Sequence, residues 1–466
     1  MSEIWSMRMS AEENVSILLG NPKVAIHKLA LPLILSLLVS QANVIADRAW
    51  CSGLGVDAMA AIAVVIPIYM TIVGLGSGLG VGASAIVSRM IGAEDKDKAC
   101  NAASQALLFG LIFVIILTPL LLISQKGILT ILGAGDVMDM ANSYLTVYSV
   151  CAIIILMNGA IGGILNGQGA TSLSTIMMIV MAVSNIVLDP VFIYGLDMGV
   201  RGAAIATVIA TVFSLLVGAY FIMSRRTYLT IDRKHMKYEK EQMRMVSVAA
   251  IPQMIEYAVM YAMNAVLNVI VINTGGSEGL TVYSTPDNLI DLIVIPAMAI
   301  GSALVPVASS AFGQKDIGRM RASFRYALIL SISAVIGLAL ITELFSEQAL
   351  YIFTYSEEMA ALRPKMVHAL QIMCLYSALF AFTPICSGYL QAMGRPNYSV
   401  LCAVWRNLAL ITSYIALASF MGMDGIFWGL VLGHTIGAST ILSVTLLTQK
   451  RLKKRIGSNS VPQSTQ

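Results

Sequence analysis

The sequence predicts an all-α membrane protein in which twelve transmembrane helices form two six-helix lobes, related by a pseudo-twofold axis around a central cavity. Hydrophobic residues fill 58% of the 466 positions and charged residues only 12%, whereas soluble domains carry about 25% charged residues. The apolar residues fall into runs long enough for the roughly 20 residues that a helix needs to cross the hydrocarbon core. The second half of the chain also repeats several features of the first half.

The apolar runs define the predicted spans. They lie near 25–52, 58–88, 101–123, 138–165, 173–194, 201–224, 245–272, 280–311, 324–346, 366–392, 399–420 and 424–448. The second and eighth runs are longer than a bilayer requires, which predicts tilted or kinked helices there.

Lysine and arginine gather in alternate loops, and this bias predicts the orientation. The predicted cytoplasmic side holds Arg8, Lys23, Lys28, Arg89, Lys96, Lys98, Arg225, Arg226, Arg233, Lys234, Lys237, Lys240, Arg244, Lys315, Arg319, Arg321, Arg325, Arg395, Lys450, Arg451, Lys453, Lys454 and Arg455. The opposite side has only Arg48, Lys126, Arg201, Arg363 and Lys365. We therefore expect a multi-pass protein of the cell membrane with both termini in the cytoplasm. The basic segment 225–244 is interpreted as a topology determinant that touches anionic lipid, and not as a nucleic-acid patch.

Four stretches of the first half recur in the second half in the same order. They pair 30–32 with 250–252, 76–99 with 299–320, 164–174 with 389–399, and 199–206 with 422–429. Because six spans is an even number, the two halves enter the membrane in the same sense. We expect a first lobe at 1–224, a basic linker at 225–244, a second lobe at 245–449 and a basic cytoplasmic tail at 450–466. The small residues between 74 and 83 predict close helix contact, either for packing alone or for a surface that slides.

The chain resembles the multidrug and toxic compound extrusion (MATE) family, and its DinF-like branch more than its NorM-like branch. The resemblance covers essentially the whole length. It rests on LVSQANVIADRAWCSGLGVDAMAAIAV (38–64), NGQG (166–169), NIVLDP (185–190), GVRGAAIATV (199–208) and their second-half echoes. The resemblance implies a cation-coupled antiporter of twelve helices that exports varied, often cationic, organic compounds in exchange for protons or sodium.

The resemblance also implies a set of cation-coupling residues. The first-helix Asp corresponds to Asp47, the fifth-helix Asn and Asp to Asn185 and Asp189, and the sixth-helix Thr to Thr207. The fourth-helix Tyr corresponds to Tyr144, with Tyr148 as the rival. The predicted topology agrees, because Asp47, Tyr144, Asp189 and Thr207 all lie within about six residues of the outer end of a span. At 1.5 Å per residue they would share one layer roughly 7–9 Å below the surface.

Asp189 stands in an apolar run, where a buried ionised acid costs several kcal/mol unless it is paired. Asn185 lies one turn earlier on the same face and can donate to it. Pro190 has no N–H, so the carbonyl near Ile186 loses its partner and the helix can bend there. The same oxygens of Asp47, Asn185, Asp189 and Thr207 are also candidates for holding Na⁺.

Each of these residues also has a structural interpretation. Asp189 can cap the backbone freed by the proline, and Thr207 can bond back within its own helix. Tyr144 can be an interfacial tyrosine, and Asp47 can pair with the next residue, Arg48. Family members usually have a small or neutral residue at that next position. If Arg48 folds back onto Asp47, the carboxylate is held in its charged form and carries protons poorly.

Other intramembrane charges are candidates for the substrate cavity. Glu256 lies in the seventh span, and Met260 occupies the position where NorM-like relatives place their glutamate. Asp287 and Asp291 lie one turn apart in the eighth span, where they either attract cationic substrates or pair with Arg406 or with each other. The tenth span has no acid, so the second-lobe cation site of the NorM-like branch is in doubt here.

The predicted function is therefore secondary active export of organic compounds against H⁺ or Na⁺ by alternating access. The alternative is a lipid- or polysaccharide-unit flippase of the same wider superfamily, and a passive channel is the weakest reading. We expect small organic substrates and membrane lipids as partners, a monomer, no nucleic acid and no cofactor beyond the coupling ion. We expect no enzyme, because no nucleophile–base pair or phosphate loop stands out. The scattered cysteines and histidines indicate neither disulfides nor a metal site.

Overall fold

The computed structural model describes residues 10–224, 226–231, 234–351, 353–354 and 357–459. Arg8, Arg225 and Arg233, which entered the predicted orientation, lie outside the described residues, as does the end of the predicted tail beyond 459. Within the described residues the chain is helical and contains no strand.

Fifteen α-helices follow one another along the described chain. They are α1 (Ala11–Leu19), α2 (Pro22–Ser52), α3 (Val56–Gly92), α4 (Lys96–Ile131), α5 (Met138–Val150), α6 (Ala152–Gly167), α7 (Thr171–Pro190), α8 (Gly199–Met223), α9 (Lys240–Gly313), α10 (Ile317–Leu344), α11 (Ser346–Tyr351), α12 (Glu357–Phe380), α13 (Phe382–Ala392), α14 (Pro396–Met421) and α15 (Met423–Asn459). A 3₁₀ turn, Gly135–Val137, precedes α5, and a π-helical turn, Val191–Gly195, follows α7.

The described helices supply the predicted spans. Ten of them, counting α12 and α13 together, are long and apolar enough to cross a membrane. A bent pair provides an eleventh span: its first half is the 3₁₀ turn with α5, and its second half is α6. The 74-residue α9 leaves helical geometry at Gly276, where φ is 65°. Glycine adopts that conformation readily because it has no Cβ. The break divides α9 into two segments of span length, so the twelve predicted runs each have a helical counterpart.

The chain forms two compact units, residues 1–262 and 263–466. The first unit includes the start of α9, whereas the sequence interpretation assigned everything from 245 onward to a second lobe. The lobe limits 1–224 and 245–449 stay a prediction. The packing adds that residues 245–262 lie with the first unit.

Glycines on two faces of α3 bring its backbone against two other helices of the first unit. On one face, a Cβ added at Gly76 would meet the Ile155 carbonyl oxygen at 3.1 Å, and a Cβ at Gly80 would meet the backbone of Gly159 on α6. On the other face, a Cβ added at Gly78 would meet Met254 of α9 at 2.5 Å. Such spacing requires residues without a side chain. The predicted close packing is therefore present, and the sliding role stays untested.

The second unit reproduces the first unit's local geometry at the repeated positions. A Cβ added at Gly388 of α13 would meet the Gly301 carbonyl oxygen at 2.9 Å, which matches the contact of Gly163 with Gly80 in the first unit. Glu94 and Lys315 both have φ of 59°, in the turns that precede α4 and α10. Each turn ends in an aspartate that caps the next helix: Asp95 accepts from the Lys98 amide, and Asp316 accepts from the Arg319 amide. The internal repeat is thus visible in backbone conformation.

The described part of the basic segment after α8 is held on the first unit by hydrogen bonds. The Leu229 amide donates to Gln168 Oε1 at 3.0 Å, and the Gln105 amide group donates to the Lys237 carbonyl at 2.8 Å. At the start of α4, hydrogen bonds from Lys234 and His235 hold the pKa of Asp97 below its usual range. The segment therefore belongs with the helices of the first unit.

Candidate functional site

Helix α7 has two chemically different faces. Val183 and Val187 are 56% and 60% exposed, and Val191, four residues further on in the π turn, is 48% exposed, as expected for a lipid-facing stripe. Asn185 and Asp189 lie on another face and are only 1% and 0% exposed. The acid therefore points away from the apolar face that the helix offers to lipid.

Asn185 connects the acid to helix α8. Its side-chain nitrogen donates to Asp189 Oδ1 at 2.7 Å and approaches Thr207 Oγ1 at 3.4 Å. The Thr207 hydroxyl itself donates to the Ala203 carbonyl at 3.0 Å. Thr207 thus bonds back within its own helix and also accepts from Asn185, so the two interpretations of this residue are compatible.

The carboxyl group of Asp47 on α2 lies within hydrogen-bonding reach of the carboxyl group of Asp189 on α7. A carboxylate can only accept, so a hydrogen bond between two carboxyl groups requires that one of them carries a proton. Asp189 Oδ2 is buried and receives no hydrogen bond from any N–H or hydroxyl group in the described parts of the chain. A proton shared with Asp47 would supply the donor that Asp189 Oδ2 lacks.

Arg48 does not neutralise this pair by direct contact. Its side chain is exposed, and it forms no ion pair with Asp47 among the residues that the structure describes. Its positive charge still acts on Asp47 through space. The sequence left open whether Arg48 folds back onto Asp47; no ion pair between them is present among the described residues, so Asp47 remains available to Asp189.

A group of tyrosines adjoins Asp47. The Tyr148 hydroxyl donates to the Tyr144 hydroxyl at 3.2 Å, and both side chains are almost fully buried. The Tyr69 ring of α3 lies 4.3 Å from the Tyr148 ring between centroids, and Asp47 acts electrostatically on all three tyrosines. Tyr144 and its rival Tyr148 are therefore neighbours in one group.

Sequence reasoning missed two residues in the surroundings of Asp47. The Cys51 thiol lies 3.9 Å from Asp47 Oδ1, one turn further along α2, and its four-residue spacing was a readable signal. Tyr69 lies 13 residues into α3, which a count of depth would place too far from the layer of Asp47. The Tyr69 ring nevertheless contacts the Tyr148 ring, which places it in the same group of tyrosines.

The proline of α7 marks a change of helix type. The α-helix ends at Pro190 and continues as the π turn Val191–Gly195, in which the Leu196 amide bonds to the Val191 carbonyl. Proline cannot donate to the preceding turn, and π turns occur where the regular ladder is interrupted. The Tyr194 hydroxyl in this turn donates to the Trp50 carbonyl of α2 at 2.5 Å. The interruption therefore lies beside Asp189 and is tied to the helix of Asp47.

The candidate cavity residues occupy two places in the chain. Gln253 donates to Glu256 at 3.1 Å on α9 within the first unit, and Met260 lies one turn later, partly buried. In the second unit, the Tyr376 hydroxyl donates to Asp287 Oδ1 at 3.1 Å, and Asp291 follows one turn after Asp287. The structure thus gives Glu256 and Asp287 each a polar partner within its own unit, and the role of all three acids toward substrate stays a prediction.

Comparison with known proteins places this arrangement in a family. The MatE family profile matches residues 32–191 and 252–415, one match in each half. The multidrug export protein MepA of Staphylococcus aureus (strain bovine RF122 / ET3-1) is 24% identical over 397 residues, which cover 84% of this chain and 86% of that protein.

Solved structures resemble nearly the whole chain. A crystal structure of MATE in complex with MaL6 superposes with a TM-score of 0.91 at 29% identity. An outward-facing multidrug resistance MATE family transporter of the MOP superfamily superposes with a TM-score of 0.90, also at 29% identity. Each comparison covers 95% of this chain and 99% of the other. The chain belongs to the MatE family, and it is a multi-pass membrane transporter of the MATE multidrug export type.

Proposed function

We propose that this transporter exports organic, often cationic, compounds in exchange for an inward-moving cation, and that Asp47 and Asp189 form the coupling pair. The observation that carries the proposal is the close approach of two carboxyl groups, the buried one of Asp189 on α7 and the partly buried one of Asp47 on α2. Carboxyl groups withdrawn from lipid in a transmembrane bundle are expensive, and they are functional candidates for that reason.

The hydrogen-bond pattern favours a proton as the coupling ion. Asn185 uses its nitrogen to donate toward Asp189 and Thr207, so its donor side faces the cluster. One proton between Asp47 and Asp189 then completes the network. Sodium is the second candidate, because Asn43 Oδ1, one turn before Asp47 on α2, is a buried acceptor without a donor among the described residues. A rotated Asn185 amide would add an oxygen ligand for that ion.

Loss of the shared proton supplies the force for a conformational change. Two unit charges about 4 Å apart repel by roughly 4 kcal/mol at an effective dielectric constant of about 20. An energy of that size shifts a two-state equilibrium by roughly a factor of 10³. Two hydrogen bonds resist separation of α2 from α7. One joins the Tyr194 hydroxyl to the Trp50 carbonyl, close to the pair, and the other joins the Thr175 hydroxyl to the Pro32 carbonyl at 2.8 Å. We infer that α2 and the π turn move in response to the proton.

Substrate and cation then oppose each other. Protonation of the pair favours the state that releases substrate to the outside, and substrate favours the state that releases the proton to the cytoplasm. The coupling free energy is the same in both directions. The predicted orientation, with both termini in the cytoplasm, makes this an export cycle. The flippase alternative gains no support from the relatives, which are multidrug exporters by name.

The test replaces Asp189→Asn in proteoliposomes that contain a fluorescent organic cation. Asparagine resembles the protonated acid in shape but cannot release a proton. We expect coupled transport to fall at least about tenfold, which is a loss of about 1.4 kcal/mol in the driving interaction. Binding of the organic cation should persist, but its dependence on pH should weaken.

The matched control is Asp197→Asn. Asp197 is exposed, lies eight residues after Asp189 and has φ of 51°, a conformation that asparagine tolerates. This variant removes the same charge and should transport normally. Normal coupled efflux by the folded Asp189→Asn variant would refute the proposal. Imposing a proton gradient without sodium, and then a sodium gradient without a proton gradient, identifies the coupling ion.

A further inference from the structure

Three positive charges meet at a cavity in the second unit, at the basic end of α15. The cavity has a volume of about 250 Å³. Its lining residues are Met393, Arg395, Tyr398, Thr448, Arg451, Leu452 and Lys454. The lining contains three cations and no carboxylate, and none of the three cations forms an ion pair with another described residue. Like charges gathered without a counter-ion repel one another, so the cavity is electrostatically suited to an anion.

The donors of the cavity suit a phosphate group in particular. Arg395 and Arg451 each offer a planar fork of N–H groups that matches two phosphate oxygens. The Tyr398 hydroxyl makes no hydrogen bond with a described residue and is a further donor. The Thr448 hydroxyl already donates to the Val444 carbonyl at 2.7 Å, so it can only accept. The positive end of α14, which has no side-chain cap, faces the same turn.

The corresponding place in the first unit is closed by the protein itself. Gly169 and Gly394 occupy equivalent positions in the repeat, with φ of 78° and 69°. In the first unit, α1 covers the turn, because a Cβ added at Gly169 would meet the Asn14 carbonyl oxygen at 2.8 Å. The Leu229 amide bonds to Gln168 in the same turn. In the second unit, Gly394 and Arg395 are exposed beside the cavity. The two repeats therefore share the conformation of this turn, but the turn in the second unit is exposed and lies beside basic residues.

We propose that this cavity is a binding site for a phosphate group, carried either by an anionic lipid headgroup or by a soluble phosphate compound. The site lies where the apolar part of α15 gives way to its basic end, and Met393 and Leu452 place apolar surface beside the cations. Basic pockets at such a boundary bind lipid headgroups. The site is independent of the cation-coupling pair.

The test compares two double variants of the same helix end. Arg451→Gln with Lys454→Gln removes two charges from the cavity, and Lys450→Gln with Lys453→Gln removes two exposed charges beside it. Phosphatidylglycerol is titrated against the detergent-purified full chain, with phosphatidylcholine as the neutral lipid, and bound lipid is counted by native mass spectrometry. We expect each cavity charge to contribute about fivefold in affinity, so the cavity variant should lose about 25-fold.

The control variant should retain the affinity of the unmodified chain within a few fold. An equal loss of lipid affinity in both double variants would indicate general attraction to a basic helix end and would overturn the proposal. Equal binding of the two lipids, together with no binding of inorganic phosphate, would also overturn it. Arg395→Gln, on a different helix, should reproduce the loss without touching α15. If inorganic phosphate competes with the lipid, the site is assigned to soluble phosphate. If phosphate does not compete and the cavity variants lose lipid affinity as expected, the site is assigned to lipid. The substituted side chains are exposed, and an unchanged melting temperature checks folding.

Discussion

The glycine contact between α3 and α6 predicts an ordered series of stabilities. A Cβ added at Gly163 would collide with the carbonyl oxygen, carbonyl carbon and Cα of Gly80, which are backbone atoms that cannot rotate away. A Cβ added at the neighbouring Gly162 meets nothing within 4 Å. Both changes to alanine gain the same helix propensity, up to about 1 kcal/mol. That gain cancels in the difference between the two variants, which isolates the cost of the contact.

Overpacking of a well-packed site costs about 1–3 kcal/mol, so Gly163→Ala should be less stable than Gly162→Ala by about that amount. Gly388→Ala should lie between them. Its new Cβ would meet the Gly301 oxygen at 2.9 Å and a Val305 methyl group at 3.1 Å, which is a milder contact with one flexible partner. Thermal unfolding in detergent, followed by intrinsic fluorescence, measures the three variants against the unmodified chain. The reasoning is refuted if Gly163→Ala is as stable as Gly162→Ala.

Two further changes test the contacts around the proposed coupling pair and those of the basic segment. Thr175→Val removes the hydrogen bond to the Pro32 carbonyl and the acceptor of the buried Ser36 hydroxyl on α2. It should cost about 1–3 kcal/mol of unfolding free energy, and an unchanged melting temperature would show that α2 is not held there. Asp97→Asn at pH 7 removes the carboxylate that attracts Lys234 and His235, so amide exchange should accelerate at 234–239, and an unaltered exchange rate would contradict the contact. Because the pKa of Asp97 is lowered, this attraction is present above the ordinary pKa of about 3.9 and fades as the pH falls through the lowered value.

Much of the fold is readable in the sequence because a membrane imposes a simple rule. Each span must be apolar over about 20 residues, and the runs of the sequence satisfy that rule twelve times. The repeated turns could also be predicted from the sequence, because a left-handed backbone position favours glycine or a polar residue. Gly169 and Gly394 are examples, and their positive φ values agree with their matching places in the repeat.

The candidate coupling residues were identified partly by chemistry and partly by resemblance. A carboxylate in an apolar run identifies Asp189 alone, because burial of an unpaired charge is costly. The four-residue spacing adds Asn185. Nothing in the local sequence of α2, however, joins Asp47 to Asp189, since the two positions are 142 residues apart in the chain. Their contact depends on how α2 packs against α7.

The sequence by itself determined the membrane class, the number of spans, the internal repeat and the presence of costly acids among apolar residues. These follow from periodicity and from the free energy of burial, which act on each segment separately. Only the tertiary structure decided that Asp47 and Asp189 lie within hydrogen-bonding reach of each other and that Arg48 stays exposed beside them. It also decided that Tyr69 joins their surroundings and that three cations line one cavity at the end of α15. Contacts of this kind depend on the rotation and depth of each helix, and those are set by side-chain packing between segments that are distant in the chain.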